Sequence, residues 1–208
     1  MNSLLLYQIS AASVGALFLF YGMDVRRKAG ARNVVAPAWQ LLMKLCALFL
    51  IAVFAWLIAS MREPSMIDWL GLTLGATGTA FVAAAKRTLG NAHTFTGQYL
   101  EKPRLVTDGV YAITRNPLYF GVFQCELWML IFALHQLPVP RPDDGLYWFG
   151  LYAAALAYAV SFNLRMAKLE ARYLERCFGD TYRRYRSKVP FLVPLFIPNP
   201  GGQSDAWL

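Results

Sequence analysis

The chain has 208 residues and a formal net charge of +8, and 57% of its residues are hydrophobic while only 15% are charged. These proportions exclude an intrinsically disordered chain and are too apolar for a typical soluble domain. Basic proteins often bind nucleic acid, but here the charge lies between and after apolar blocks, which favours the anionic cytoplasmic leaflet or an anionic ligand and no nucleic acid.

Five apolar blocks predict five membrane-spanning helices, because each is close to the roughly 20 residues that an α-helix needs to cross a bilayer. The predicted spans cover residues 4–22, 41–60, 69–85, 118–137 and 146–164. We therefore predict an all-α integral membrane protein that forms one domain over residues 1–208. Its three scattered cysteines predict neither a disulfide framework nor a metal site.

The first and third blocks carry additional information. No charge precedes the first block, whereas Arg26, Arg27, Lys28 and Arg32 follow it, so we interpret it as a retained span and not as a signal peptide. The third block contains Gly71, Gly75 and Gly78. These glycines are consistent with close helix contact and equally with a span that is simply rich in small residues.

The charge of the connections predicts the topology. If the connection after the first span is inside, all of the 20 Lys and Arg residues except Arg62 and Arg141 fall on the cytoplasmic side. This positive-inside bias predicts an N-terminus outside and a C-terminus in the cytoplasm. A site built from the polar connections would then open to the cytoplasm. A bacterial inner membrane and the endoplasmic reticulum both remain open.

The first polar segment that could carry chemistry covers residues 103–121. It has a turn at Asp108-Gly109 and a second break before Pro117. Arg115, Asn116 and Tyr119 stand where the chain re-enters the membrane, and backbone freed from a helix at this depth must be buried in protein or bind a ligand. A capped helix start with a snorkelling arginine explains the same residues.

The second polar segment, residues 165–190, is strongly basic and predicts a cytoplasmic amphipathic helix that leaves the membrane and runs along its surface. Glu170 lies close to the predicted membrane face. A carboxylate there is either paired with a neighbouring arginine or reserved for a cationic ligand. A solvated charged helix is the plainer interpretation.

Both segments resemble motifs of a known family. Gly109-Val110-Tyr111, followed by Arg-Asn-Pro-Leu-Tyr-Phe-Gly at residues 115–121, resembles the G-x-Y…R-H-P-x-Y-x-G signature of the isoprenylcysteine carboxyl methyltransferase family, a group that includes bacterial phospholipid methyltransferases. Downstream, Glu170-Ala171, Phe178-Gly179, Tyr182, Tyr185 and Val189-Pro190 resemble that family's E-E…F-G-x-x-Y-x-x-Y…V-P block. The resemblance covers about residues 90–195.

The resemblance implies an enzyme that transfers a methyl group from S-adenosylmethionine to a lipophilic substrate, such as the carboxyl of an isoprenylated cysteine or a lipid that enters from the bilayer. It also implies a cytoplasmic cofactor pocket. By position, the cofactor residues would be Pro103, Arg104, Leu105, Val106, Tyr111, Asn116, Pro117, Leu118 and Tyr119. His93 is a weaker match, because a lone histidine at a helix end is more often structural. The catalytic residues would be Glu170, Arg165 and Arg115.

Three positions depart from the family pattern. Asn116 replaces the usual histidine and cannot titrate. Ala171 replaces the second acid of the glutamate pair. Met166 stands where the resemblance predicts a substrate-side arginine, and Arg165 is turned from that position by about 100° on a helix.

Two other functions stay open. A sterol-reductase-like enzyme would use NADPH in a related C-terminal half. A small transporter or assembly protein would need ionisable residues within its spans, and Glu126 in the fourth span is the clear candidate, although it could instead pair with Arg115 or another helix. The sequence leaves the methyl acceptor open among a prenylated protein C-terminus, a lipid headgroup, a small thiol and an isoprenoid acid. It also leaves the oligomeric state open.

Overall fold

The computed structural model describes residues 2–22, 30–90, 98–137 and 143–194. Within these ranges, five helices are long and apolar enough to cross a membrane, namely α1 (Ser3–Gly22), α2 (Pro37–Ser60), α3 (Met66–Leu89), α4 (Pro117–Gln136) and α5 (Gly145–Phe178). A short helix, α6 (Asp180–Lys188), follows. The predicted all-α membrane fold with about five spans is confirmed, whereas the side of the membrane on which α6 lies stays a prediction.

The third helix begins earlier than its apolar block because of a local capping motif. The Ser65 hydroxyl caps the backbone N–H of Asp68, and the Asp68 carboxylate accepts the backbone N–H of Ser65. This reciprocal capping box satisfies backbone donors that a helix start leaves free. The helix then continues past the predicted end at residue 85 and stops at Gly90, which has a φ of 52°.

The fifth helix differs from the predicted pattern of a span followed by a separate helix. It has 34 residues and continues without a break to Phe178, because neither glycine nor proline occurs in it after Gly150. Gly179, with a φ of 52°, ends the helix, and α6 starts directly after it. Since about 20 residues cross the hydrocarbon, roughly the last 14 residues of α5, from Arg165 onward, extend beyond it.

Glycines let α3 and α4 pack with their backbones in contact. A Cβ atom built on Gly78 would lie 2.5 Å from the carbonyl oxygen of Gly121, and one built on Gly121 would lie 2.4 Å from the carbonyl oxygen of Gly78. At Gly75, a Cβ atom would lie 2.1 Å from the ring of Trp128. The glycines of the third span are therefore a contact surface for α4, as expected for membrane helices that associate through small residues.

Aromatic side chains join several helices in the core of the bundle. The Tyr7 ring stacks on Phe132 with ring centroids 5.7 Å apart, while Phe54 packs edge-on against Trp128 at 4.8 Å. Many large apolar side chains of α1, α2 and α5 are instead exposed. Such exposure is expected for side chains that contact lipid rather than water.

The end of the bundle at which α3 starts and α4 ends holds a buried carboxylate. Asp68 is completely buried, and besides the Ser65 backbone N–H it accepts hydrogen bonds from the Ser65 hydroxyl at 2.9 Å and the Gln136 amide at 3.0 Å. His135 Nδ1 lies 3.1 Å from the other carboxylate oxygen. These contacts join the start of α3 to the end of α4.

The opposite end gathers the C-termini of α1 and α3, the N-termini of α2 and α4, and the extension of α5. Here the connections after α1 and α3 pair as two short antiparallel strands, β1 (Ala31–Asn33) and β2 (Gln98–Leu100), with Arg32 opposite Tyr99. This pairing joins chain segments that are far apart in sequence. It places β2 beside the extension of α5, where the Tyr173 hydroxyl donates to the Leu100 carbonyl at 2.7 Å.

Candidate active site

The chain enters α4 through a tight turn. Gly109 has a φ of 58°, a left-handed conformation that favours glycine, and it starts a single 3-10 turn over Gly109–Ala112. Pro117 then occupies the first turn of α4, where a missing N–H has no cost. The residues between these two points, Thr114, Arg115 and Asn116, have no regular structure and need partners from elsewhere in the chain.

Those partners come from the segment after α6. The Thr114 hydroxyl donates to the Leu192 carbonyl at 2.8 Å, and the Asn116 amide donates to the Phe191 carbonyl at 2.7 Å. The backbone N–H of Arg115 donates to the Pro190 carbonyl at 2.9 Å. Residues 114–116 and 190–192, which we call the latch, thus hold the two predicted site segments together at one end of the bundle.

The Arg115 side chain belongs to the same contact. Its Nε donates to the Val189 carbonyl at 3.0 Å, one terminal nitrogen lies 3.4 Å from the Tyr182 hydroxyl, and the guanidinium packs 5.4 Å from the centre of the Phe191 ring. These contacts use two of the five N–H donors of the guanidinium, so Arg115 has a structural role whatever else it binds.

A cleft opens between the joined segments. Its unfilled space, including the open mouth, is about 690 Å³. The residues that line it come from the end of α3, β2, residues 103–116, the extension of α5 and α6; they are Leu89, Tyr99, Leu100, Pro103, Arg104, Leu105, Val106, Tyr111, Arg115, Asn116, Glu170, Ala171, Tyr173, Leu174, Tyr182 and Tyr185.

Glu170 lies in the wall of this cleft on the extension of α5. The Tyr119 hydroxyl donates a hydrogen bond to its carboxylate, and the negative charge of Glu170 also acts on the phenols of Tyr99, Tyr111 and Tyr182. Burial raises the pKa of Glu170 to about 7, and the hydrogen bond from Tyr119 opposes that rise. One carboxylate therefore stands among four tyrosine rings and can ionise near neutral pH.

Tyrosine side chains also fix the walls of the cleft. The rings of Tyr99 and Tyr173 stack with centroids 4.4 Å apart, so β2 is held against α5. The Tyr185 hydroxyl donates to the Tyr111 carbonyl at 2.7 Å and joins α6 to the 3-10 turn. Tyr182 and Tyr185 stand in the motif quoted above, whereas no sequence signal identified Tyr99 or Tyr173 as cleft residues.

The structure brings most of the predicted site residues to this cleft. Those that line it are Pro103, Arg104, Leu105, Val106, Tyr111, Arg115, Asn116 and Glu170. Tyr119 lies behind Glu170, Pro117 is fully buried, and Leu118 packs against the buried cluster of Ala85, Val106 and Tyr111. His93 lies outside the described residues.

Arg165 does not line the cleft. It is exposed on α5, while its neighbour Met166 is buried in an apolar cluster with Tyr119 and Phe162. Arg165 lies one residue before the position at which the resemblance predicts an arginine. Because neighbouring residues of a helix point in different directions, Arg165 and Met166 face different sides of α5.

Glu126 pairs with another helix and not with Arg115. Its Oε1 accepts a hydrogen bond from the Asn163 amide of α5 at 3.1 Å, and its Oε2 is buried without a hydrogen-bond partner in the described part of the chain. Tyr119 and Glu126 are seven residues apart on α4, as Asn163 and Glu170 are on α5. The Glu126–Asn163 pair thus lies two helical turns deeper in the bundle than the Tyr119–Glu170 pair, or about 10.5 Å along each helix.

Known proteins resemble parts of this chain. The family described as phospholipid methyltransferase matches residues 66–134. The protein-S-isoprenylcysteine O-methyltransferase of Schizosaccharomyces pombe is 30% identical over 142 residues, which cover 66% of this chain and 52% of that protein. Protein-S-isoprenylcysteine O-methyltransferase B of Arabidopsis thaliana is 26% identical over 140 residues, which cover 65% of this chain and 63% of that protein. The chain spans between about half and two thirds of the length of these relatives.

Proposed function

We propose that the chain is an integral membrane methyltransferase that uses S-adenosylmethionine and a lipophilic acceptor, because it is similar to a phospholipid methyltransferase family and to isoprenylcysteine O-methyltransferases, as its two motifs predicted. The observation that carries this proposal is the position of Glu170. It stands in a cleft that both motif segments build, at the end of the bundle where α5 leaves the membrane.

The chemistry of the cleft fits a cationic nucleotide-like donor. A sulfonium ion is attracted to a carboxylate and to the faces of aromatic rings, and Glu170 with its surrounding tyrosines offers both. Residues 103–107 have no regular secondary structure, and no backbone hydrogen bond joins residues 104–106 to another described residue. Their N–H and C=O groups are therefore available to bind the edge of an adenine ring.

Each wall has a separate task in this proposal. Residues 103–106 and Tyr111 hold the nucleoside, Glu170 faces the positive charge, and the exposed Arg104 at the mouth neutralises the carboxylate of the amino-acid part. When bound, the donor supplies an activated methyl group that an acceptor nucleophile attacks in line. The protein mainly aligns the two reactants, and such positioning can contribute about 7–11 kcal/mol to lowering the barrier.

The acceptor approaches from the membrane side of Glu170. There Tyr119, Phe162 and Met166 form an apolar cluster with Phe123 and Tyr158 around it. These side chains suit a lipophilic group and keep water from the reacting atoms. A carboxylate or thiolate acceptor needs no base, whereas an amine acceptor must lose a proton, and Glu170 is the base nearest to it.

We place the cleft on the cytoplasmic side. All but two of the 20 Lys and Arg residues fall on the side of the predicted spans that carries the cleft, and membrane proteins keep such residues in the cytoplasm. The N-terminus is then outside, and α6 lies on the cytoplasmic side. This placement gives the cleft access to the cytoplasmic pool of the donor.

The test is methyl transfer by the purified protein. Incubation with methyl-labelled S-adenosylmethionine and a total membrane extract, followed by chromatography of the lipids and proteins, should yield a labelled lipophilic product. The reaction should fail with Glu170→Gln and persist with Glu175→Gln, because Glu175 lies on the same helix but pairs with Arg183 and Arg186. Absence of any labelled product together with absence of donor binding would contradict the proposal.

A further inference from the structure

The lipid-facing line of α5 becomes basic at the point where the helix leaves the membrane. Along α5, one line of exposed positions recurs every three or four residues, at Gly150, Ala154, Ala157, Ser161, Arg165, Lys168, Arg172 and Arg176. This spacing places them on one face of the helix. The first four are small, and the last four are all cations, which we call the basic stripe. The cleft residues Glu170 and Tyr173 lie off this line.

The cations of the basic stripe differ from those of α6. Arg183 lies 3.2 Å from Glu175 and 3.0 Å from Asp180, and Arg186 lies 2.9 Å from Glu175. No member of the basic stripe forms an ion pair with a described residue. Acidic side chains of the protein therefore neutralise two arginines of α6, whereas the four cations of the basic stripe are available to a partner outside the described residues.

We propose that the basic stripe binds the phosphate-bearing headgroups of anionic lipids. Its position supports this partner, because the same helix face that contacts acyl chains within the bilayer must meet headgroups where the hydrocarbon ends. Arg165 is the 21st residue of α5, and about 20 residues cross the hydrocarbon. Cations immediately outside a span are attracted to an anionic leaflet and lose this attraction within a Debye length.

The contribution of each basic-stripe residue to headgroup binding should fall with its distance from the end of the hydrocarbon. Lys168 lies about 5 Å beyond Arg165 along the axis, whereas Arg176 lies about 17 Å beyond it. Headgroup layers are only some 5–8 Å thick on each side of the hydrocarbon. Arg165 and Lys168 therefore bind headgroups directly, and Arg172 and Arg176 contribute less. The inference requires that α5 crosses the membrane and does not depend on methyl transfer.

Three double variants with equal loss of charge test the proposal. The purified protein is reconstituted in phosphatidylcholine, and the association of spin-labelled phosphatidylglycerol is measured relative to spin-labelled phosphatidylcholine. The variants are Arg165→Gln with Lys168→Gln, Arg172→Gln with Arg176→Gln, and Arg183→Gln with Arg186→Gln as the control. At low salt, each headgroup-level cation should contribute up to about fivefold to the preference for the anionic lipid.

The expected order is a large loss of preference for the first variant, a smaller loss for the second and no change for the third. High salt should reduce the preference of the unsubstituted protein towards that of the first variant. The proposal is overturned if all three variants lose the same preference, since net charge alone would then explain it. It is also overturned if the first variant retains the full preference, as expected if the basic stripe faces an acidic protein.

Discussion

Two carboxylates at opposite ends of the bundle show that a buried carboxylate is not by itself a binding site. Asp68 is fully buried, and its oxygens accept hydrogen bonds from the Ser65 backbone and hydroxyl and from the Gln136 amide, with His135 also in contact. Glu170 has only the Tyr119 hydroxyl as a hydrogen-bond partner among the described residues, and it faces a cleft. The oxygens of Asp68 thus have several hydrogen-bond donors between them, whereas Glu170 can still accept further hydrogen bonds.

The number of hydrogen-bond donors around a carboxylate distinguishes a structural carboxylate from a ligand-binding one better than its burial does. A buried carboxylate with several donors stabilises the elements that provide them, and removal of the carboxylate leaves those donors unpaired. A carboxylate with free acceptor capacity beside an open cleft can bind a ligand without losing contacts of its own. We therefore expect substitutions of Asp68 to lower stability and substitutions of Glu170 to lower activity.

The largest effect is expected at Glu170. Glu170→Gln keeps the shape of the side chain but removes the charge that faces the donor, and it should lower methyl transfer by about 100-fold or more. The melting temperature should change little. Methyl transfer measured with labelled donor, beside Glu175→Gln as a matched control on the same helix, checks this. Equal loss of activity in both variants would show that Glu170 has no special role.

Asp68 should show the reverse profile. Asp68→Ala leaves the donors of Ser65 and Gln136 without an acceptor and should reduce the free energy of unfolding by about 2–4 kcal/mol. Thermal unfolding in detergent measures this, and donor affinity at a temperature where the variant is folded should stay unchanged. The control is Asp180→Ala, because the Asp180 side chain is 80% exposed. A loss of donor affinity at Asp68 without a loss of stability would break the comparison.

The latch should have an intermediate effect on binding. Asn116→Ala removes the amide that donates to the Phe191 carbonyl, so the segment after α6 should be released from the cleft more often. We expect donor binding to weaken by roughly fivefold to tenfold, in line with one lost hydrogen bond of about 1 kcal/mol. Calorimetry measures the affinity, and proteolysis after α6 should become faster. Thr77→Val serves as control, since Thr77 is exposed and bonds only to its own helix.

The smallest effect is expected at Glu126. Glu126→Gln keeps an oxygen that accepts from Asn163, so the α4–α5 contact survives and methyl transfer should change by about twofold or less. Glu126→Leu, which removes that acceptor, should lower thermal stability instead. Complete loss of function with the glutamine variant, combined with normal folding and no donor binding, would favour transport.

Sequence patterns were sufficient for the architecture and for one half of the cleft. Apolar block length predicted the five spans, and the structure brings the two motif segments, residues 103–121 and 165–190, into contact. Helical phase also explains why Met166 rather than Arg165 points inward. The roles of the individual site residues stay predictions.

Other features depend on contacts that no local pattern encodes. Tyr99 reaches the cleft because β2 pairs with β1, two short strands from distant connections, and because its ring stacks on Tyr173. The sequence predicts a helix that leaves the membrane after residue 164, but the end of that helix at Gly179 and the start of a separate α6 depend on the backbone conformation of one glycine. The saturation of Asp68 requires Gln136 and His135, which lie 68 and 67 residues away.

The central claim is that Glu170 binds the positive charge of the methyl donor. The most direct measurement compares the affinities of S-adenosylmethionine and of S-adenosylhomocysteine, whose thioether is neutral, for the unsubstituted protein and for Glu170→Gln at pH 8. The account predicts that the substitution weakens binding of the sulfonium by about tenfold and of the thioether far less. At pH 6 this difference should shrink, because the pKa of Glu170 is raised to about 7 and the carboxyl is then mostly protonated. An equal effect on both ligands, or no effect on either, would contradict it.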